Sequence, residues 1–150
     1  MMGMFFDCSN LTSLDLSSFK TSKVTTMNAM FSGYSDLTEL DLASFNTKDV
    51  TNMHQMFYNC EKLLKIYIGT GWDISNVVGT NTSSPGDIMF IGCKKLPNFN
   101  PYVTDITKAH TGPDGYLTLK AYYMKKRGSS FLFSVTTLRS LIAIRVYHEI

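Results

Sequence analysis

One segment of the chain is written out twice, and that period limits the fold more than any other feature. Leu11-Thr-Ser-Leu-Asp-Leu-Ser-Ser-Phe-Lys-Thr-Ser-Lys-Val-Thr-Thr-Met-Asn-Ala-Met-Phe returns, 26 residues later, as Leu37-Thr-Glu-Leu-Asp-Leu-Ala-Ser-Phe-Asn-Thr-Lys-Asp-Val-Thr-Asn-Met-His-Gln-Met-Phe. The apolar residues return with it: Leu14 as Leu40, Leu16 as Leu42, Phe19 as Phe45, Val24 as Val50, Met27 as Met53, Met30 as Met56 and Phe31 as Phe57. Met1, Met4 and Phe5 stand 26 residues before Met27, Met30 and Phe31. A period between 20 and 50 residues marks a solenoid, in which each unit buries its apolar side only by stacking on the next.

Each unit reads as two short elements. Leu-Thr-x-Leu-Asp-Leu alternates apolar and polar from its second Leu, which predicts a strand. Val-Thr-x-Met-x-x-Met-Phe-x-x-Cys-x-x-Leu changes to spacings of three, which predicts one or two turns of helix, with Thr25 or Thr26 and Thr51 or Asn52 as N-caps. The Ser, Thr, Asn and Asp residues between them suit a corner in which short polar side chains bond local backbone. Stacked parallel strands would stand about 4.8 Å apart. Leu14, Leu40 and Ile66 would then form one internal ladder, and Leu16, Leu42 and Ile68 the next.

The third unit is stretched. Leu63-Leu-Lys-Ile-Tyr-Ile keeps the strand pattern, and Trp72-Asp-Ile-Ser-Asn-Val matches Phe45-Asn-Thr-Lys-Asp-Val. A Gly/Ser/Pro-rich loop follows from Gly79, and Met89-Phe resumes Met56-Phe after 33 residues rather than 26. Such an insertion costs little in loop closure. Phe99 repeats the spacing of Leu40 from Leu37, so a further strand is expected there, weakened by Pro97 and Pro101. Thr111-Gly-Pro-Asp-Gly predicts a turn, and the strand after it, with Leu117, Leu119 and Ala121 on one face, is expected to close the stack. The stretch 131–150 fits either a helical face or a strand and shares nothing with the repeats. Arg139 and Arg145 interrupt it, so no membrane span is expected.

At 44% hydrophobic residues the chain is too apolar for a disordered tail. Its charge is uneven: residues 1–60 hold three Lys against six acids, and residues 61–150 eleven Lys or Arg against six. No dense basic run with interleaved aromatics is present, so no nucleic-acid partner is expected. The opening Met1-Met-Gly-Met-Phe-Phe-Asp lacks the basic and apolar regions of a secretory signal, and Met1 aligns with mid-repeat Met27, so a fragment of a longer protein is expected.

The recurring Leu-Thr-Ser-Leu-Asp-Leu-Ser-Ser-Phe-x-Thr-Ser-x-Val-Thr-x-Met-x-x-Met-Phe-x-x-Cys-x-x-Leu closely resembles the repeats of the BspA-like leucine-rich-repeat surface proteins. The match covers residues 1–68 well and 72–96 loosely. The resemblance implies an α/β fold: a leucine-rich-repeat-like, right-handed solenoid of short parallel strands and short helices, with three to four coils and an irregular C-terminal cap. The solenoid is expected over 1–100, the capping segment with its strand over 101–130, and an apolar tail of unassigned role over 131–150. The resemblance further implies a cell-surface or secreted location and adhesion to host matrix or cell-surface proteins.

Cys8, Cys60 and Cys93 occupy equivalent repeat positions, with Tyr34 in the second unit. Two readings stand. One is a buried column of thiols filling a core position. The other is a Cys60–Cys93 disulfide, because adjacent units bring Cα atoms within bridging range. No metal-ligand spacing is present, and His54, His110 and His148 lie in unrelated contexts. No catalytic motif appears, so neither catalysis nor a cofactor is expected. The Met rows beside Phe31 and Phe57 read as core. The outward strand positions Ser13/Glu39/Lys65 and Asp15/Asp41/Tyr67 would stack as two columns, the best candidate face for a protein partner. The rival roles are a structural spacer that projects another domain, and an intracellular repeat protein.

Overall fold

A computed structural model describes residues 1–78, 88–104, 106–120, 124–126 and 129–131. Two strands fall where the alternating pattern predicts them, β1 (Glu39–Leu42) and β2 (Lys65–Ile68). They pair in parallel with Glu39 opposite Lys65, Leu40 opposite Ile66, Asp41 opposite Tyr67 and Leu42 opposite Ile68. The register is one full repeat, and a slip of one residue would turn Leu40 and Leu42 outward. β3 (Thr118–Leu119) follows β2 to make a three-stranded sheet of order β1-β2-β3. The fold is a strand-rich repeat fold. Residues 11–16 carry the same pattern but form no strand.

The chain divides into two compact units at Thr118/Leu119, so residues 101–118 belong with the repeats. Within the second unit, β4 (Met124–Lys126) pairs antiparallel with β5 (Ser129–Phe131). Ala121, the loop from Gly79 and the tail beyond Phe131 lie outside the described residues.

The predicted short helix is replaced by something else. Residues 27–33 are a chain of turns. The amides of Met27, Ala29, Phe31 and Gly33 donate to the carbonyls of Asn52, His54, Met56 and Tyr58 in the next repeat, at 2.8–2.9 Å. Gly3, Phe5 and Asp7 donate in the same way to Asn28, Met30 and Ser32, and Phe57 and Asn59 to Met89 and Ile91. The intervening amides close local turns, such as Met30 to Met27 and Ser32 to Ala29. Aiming alternate amides at the neighbouring repeat needs two left-handed residues per unit. One set is Gly3, Ala29, Gln55 and Ile88, with φ of 51–57°. The other is Asp7, Gly33, Asn59 and Gly92, with φ of 57–84°. Left-handed backbone costs about 1–2 kcal/mol at a non-Gly residue, and a backbone bond across the repeat offsets that cost. The spacing of three that predicted a helix suits consecutive three-residue turns equally well.

Phe5, Phe31, Phe57 and Phe90 form one stacked column, with ring centroids 5.8, 5.9 and 5.4 Å apart and near-parallel planes. The step from Phe57 to Phe90 shows that the inserted residues leave the stacking undisturbed. Met27, Met30, Met53, Met56 and Met89 are fully buried around this column, as a core row should be.

The column ends on Tyr116, whose ring meets Phe90 edge-on at 5.2 Å and 85°. The Tyr116 hydroxyl donates to Val103 O at 2.9 Å and accepts the Asn100 amide at 2.7 Å. Thr104 O takes the Phe90 amide, the place that Met56 O fills for Phe31. The stack is therefore closed by Tyr116 and Leu117, both buried, with Ile106 from a short 3-10 turn (Ile106–Lys108) and Ala109. The expected closing strand is cut to two residues, and Leu119 is only half-buried. No strand forms at Phe99 either. Pro97 and Pro101 flank it, and its ring packs 6.0 Å from Tyr116 instead.

Leu40, 1% exposed, sits between the first and third repeats. Leu40→Ala is expected to lower stability by about 2–5 kcal/mol in chemical denaturation, the range for truncating a core Leu. Hydrogen-exchange protection should fall across 11–68. Little change would mean that this register is wrong.

Candidate functional site

The exposed side of β1 and β2 carries the two predicted columns. Glu39 and Lys65 stand in register, as do Asp41 and Tyr67. Ser13 and Asp15 are exposed one repeat earlier, in a segment that forms no strand. The Lys65 ammonium lies 3.7 Å from Glu39 Oε1 and 6.0 Å from the centre of the Tyr67 ring. Both partners of the ion pair are about half exposed, so it contributes about 0–1 kcal/mol. Its larger effect is on character: the face is mixed in charge, with an aromatic ring beside a cation, rather than acidic.

The aspartates of this face also serve the fold. Asp15 Oδ1 accepts the Ser17 amide at 2.9 Å, and Asp41 Oδ1 accepts the Ala43 amide at 3.0 Å. Each carboxylate thereby caps the corner after its strand segment. The Ser17 amide holds the Asp15 carboxyl below the usual carboxylate value. The recurrence of Asp at this position has a structural reason before any functional one.

Two further ion pairs join successive repeats, Asp36 with Lys62 at 2.7 Å and Glu61 with Lys94 at 3.2 Å. In all three pairs the acid belongs to the earlier repeat and the lysine to the later one. The uneven charge along the sequence is used in this way.

Corner residues bond across repeats as well as locally. Thr21 Oγ1 donates to Asn46 O at 2.9 Å and accepts the Asn46 amide at 2.8 Å. Thr47 does the same to Asp73, at 2.7 Å for both bonds. Both threonines are buried, at 2% and 0% exposed. The sequence signal was the return of Thr at one position between polar neighbours that vary.

Cys60 and Cys93 are buried free thiols. Cys60 Sγ donates to Phe31 O at 3.1 Å, and Cys93 Sγ to Phe57 O at 2.9 Å, each a carbonyl of the preceding repeat. In the structure the two sulfurs are unbridged, and the column-of-thiols and disulfide readings are separated by the labelling experiment below. Burial pushes the Cys93 thiol well above its usual value, and the neighbouring Cys60 adds to the effect. Tyr34, in the same column, has a buried hydroxyl with no hydrogen-bond partner among the described residues. Burial raises its pKa, with the Cys8 and Cys60 thiols beside it contributing.

Among the described residues no three His, Cys, Asp or Glu side chains stand together to hold a metal ion. His110 lies in the turn before Tyr116, with Nε2 3.7 Å from Asp114, whose other oxygen is 2.6 Å from Lys108. Lys108 holds the Asp114 carboxyl low. No helix among the described residues is long and apolar enough to cross a membrane.

Residues 1–100 match the family described as "Mycoplasma protein of unknown function, DUF285". The chain belongs to that family. The matched span covers the repeats as far as the approach to the Tyr116 cap. No curated protein matches the chain. No solved structure matches it either.

In the native protein, iodoacetamide is expected to label Cys8, which is half-buried, while Cys60 and Cys93 stay unlabelled because they are buried. Denaturation without reductant should release all three for labelling. A single reactive thiol under those conditions would demonstrate the bridge.

Proposed function

We propose that this DUF285 chain is a non-catalytic repeat module that meets another protein through the outward face of β1 and β2. The observation that carries this reading is the one-repeat register, which sets exposed Glu39 and Lys65 beside half-buried Asp41 and Tyr67 on the outward side of the sheet. The patch is extended and has no enclosing walls, which suits a protein surface rather than a small molecule. Tyr67 supplies a large apolar body at little entropic cost, and Lys65 with Glu39 supplies paired charge around it. Ser13 and Asp15 extend the patch by one repeat. On this proposal the repeats wind as a right-handed, leucine-rich-repeat-like solenoid of the BspA-like kind. The protein acts at the cell surface or as a secreted product, and its partner is a host matrix or cell-surface protein. The support for these finer statements is the repeat resemblance together with the stacked, polar-faced geometry.

The test keeps the corner cap intact by using Asp41→Asn, whose side-chain oxygen still accepts the Ala43 amide. Glu39→Ala, Asp41→Asn and Tyr67→Ala together should reduce binding to immobilised matrix proteins at least tenfold with circular dichroism unchanged. Undiminished binding would favour the rival role, a spacer that projects another domain.

A further inference from the structure

The outward side of β1 and β2 is ordered by charge in a particular way. At each height along the paired strands, the acid stands on β1 and its neighbour on β2 is a cation or a phenol. Glu39 lies beside Lys65, and Asp41 beside Tyr67. One position before the paired strands, exposed Thr38 lies beside Leu64, whose amide donates to Thr38 O at 2.8 Å. Leu64 is 46% exposed, one of the exposed large apolar side chains of the molecule. Glu39 and Lys65 meet at 3.7 Å, too far for a hydrogen bond, whereas Asp36 and Lys62 close to 2.7 Å. Both charged tips of the outward pair are about half exposed.

Such a face is complementary to itself. A twofold axis lying in the face, parallel to the strands and midway between them, carries β1 of one copy over β2 of the other. Residues at one height then meet across the axis. Glu39 faces Lys65 of the second copy, Asp41 faces its Tyr67, and Thr38 faces its Leu64, and each contact occurs twice. Aligned sheets packed face to face stand about 10 Å apart, the reach of two opposed side chains. The Tyr67 hydroxyl is a donor for the carboxylate opposite, and a carboxylate accepts several hydrogen bonds, so Asp41 can keep the Ala43 amide. A twofold axis across the strands is disfavoured, because it would set Glu39 against Asp41 of the second copy.

From this charge order we propose that the β1/β2 face pairs with a second copy of this chain through a twofold axis parallel to the strands. The inference rests on the proposed reading of this face as a protein-docking surface. It adds a regulation of that surface, since a second copy occupies the side chains that the other partner needs. The face offers few side chains per copy, against about 20–30 in a standard interface, so self-association is weak, in about the 10 μM–1 mM range.

The test is sedimentation equilibrium of the full chain alone over that range, with circular dichroism as the check on folding. The parent should rise toward twice the chain mass. Glu39→Lys or Lys65→Glu alone sets like charges across both symmetric contacts and should weaken association at least tenfold. An equimolar mixture of the two single variants restores opposite charges across the axis, as does the double variant, and both should regain the parental association. In the mixture each chain still carries like charges at its own positions 39 and 65, so recovery there reports contacts between chains. A parent that stays monomeric throughout, single variants that associate like the parent, or a mixture that stays monomeric would each overturn the proposal. No matrix protein is present, so these outcomes bear on self-association alone. Matrix binding indifferent to Glu39, Asp41 and Tyr67 would sink the proposed function and leave a dimer seen here standing.

Discussion

Hydrogen bonds that leave one repeat and end on the next are the constraint on which the rest of this structure depends. A helix would satisfy its own amides and leave neighbouring units to associate through side chains alone. Here Met27, Ala29, Phe31 and Gly33 give their amides away to the following unit. That choice fixes the separation of the repeats, and the separation fixes the aromatic column at 5.4–5.9 Å. It also explains the left-handed residues, which turn every second amide out of the local chain. Thr21 and Thr47 extend the same rule to the corners, where one buried hydroxyl holds both backbone groups of a residue in the next repeat.

A stack held in this way has a direction. Amides in the turn segment point one way, side-chain donors such as Ser35, Ser44 and Cys60 reach the other way, and acids precede their lysines. After its last repeat the stack is closed by a separate device. The C-terminal solution is an aromatic ring turned edge-on, with its hydroxyl tied to Asn100 and Val103 so that the polar group is satisfied where it is buried. The outward sheet face is different again, because its side chains are fixed by strand register while their polar tips remain in water.

The first-level features were legible in the residues. The 26-residue return identified the stacking rows, and the alternation in Leu-x-Leu placed β1 and β2 and their register to the residue. The columns Glu39/Lys65 and Asp41/Tyr67 followed from period two and a fixed repeat length, without knowledge of the contacts. The buried Met, Phe and Cys rows followed for the same reason. The second set of left-handed positions was also present in the sequence: Asp7, Gly33, Asn59 and Gly92 are the residue types that tolerate positive φ, spaced by one repeat.

What periodicity alone could not decide is where a hydrogen bond ends. A spacing of three describes a helix and a run of turns equally, and only the proximity of the next repeat makes the turns better, since it supplies carbonyls at the right height. Likewise, spacing brought Cys60 and Cys93 into one column but gave no sign of the backbone oxygens of Phe31 and Phe57 that their sulfurs meet. The sequence led to the expectation of a closing strand with Leu117, Leu119 and Ala121 facing in. Tertiary packing used Tyr116 instead, because the end of a phenylalanine column is covered best by another ring. Asp15 and Asp41 read as surface charge until the fold showed their oxygens bonded to amides two residues on. The sequence thus determined which residues recur and which way they face. The three-dimensional stack decided which groups each of them bonds, because those partners lie a whole repeat away along the chain.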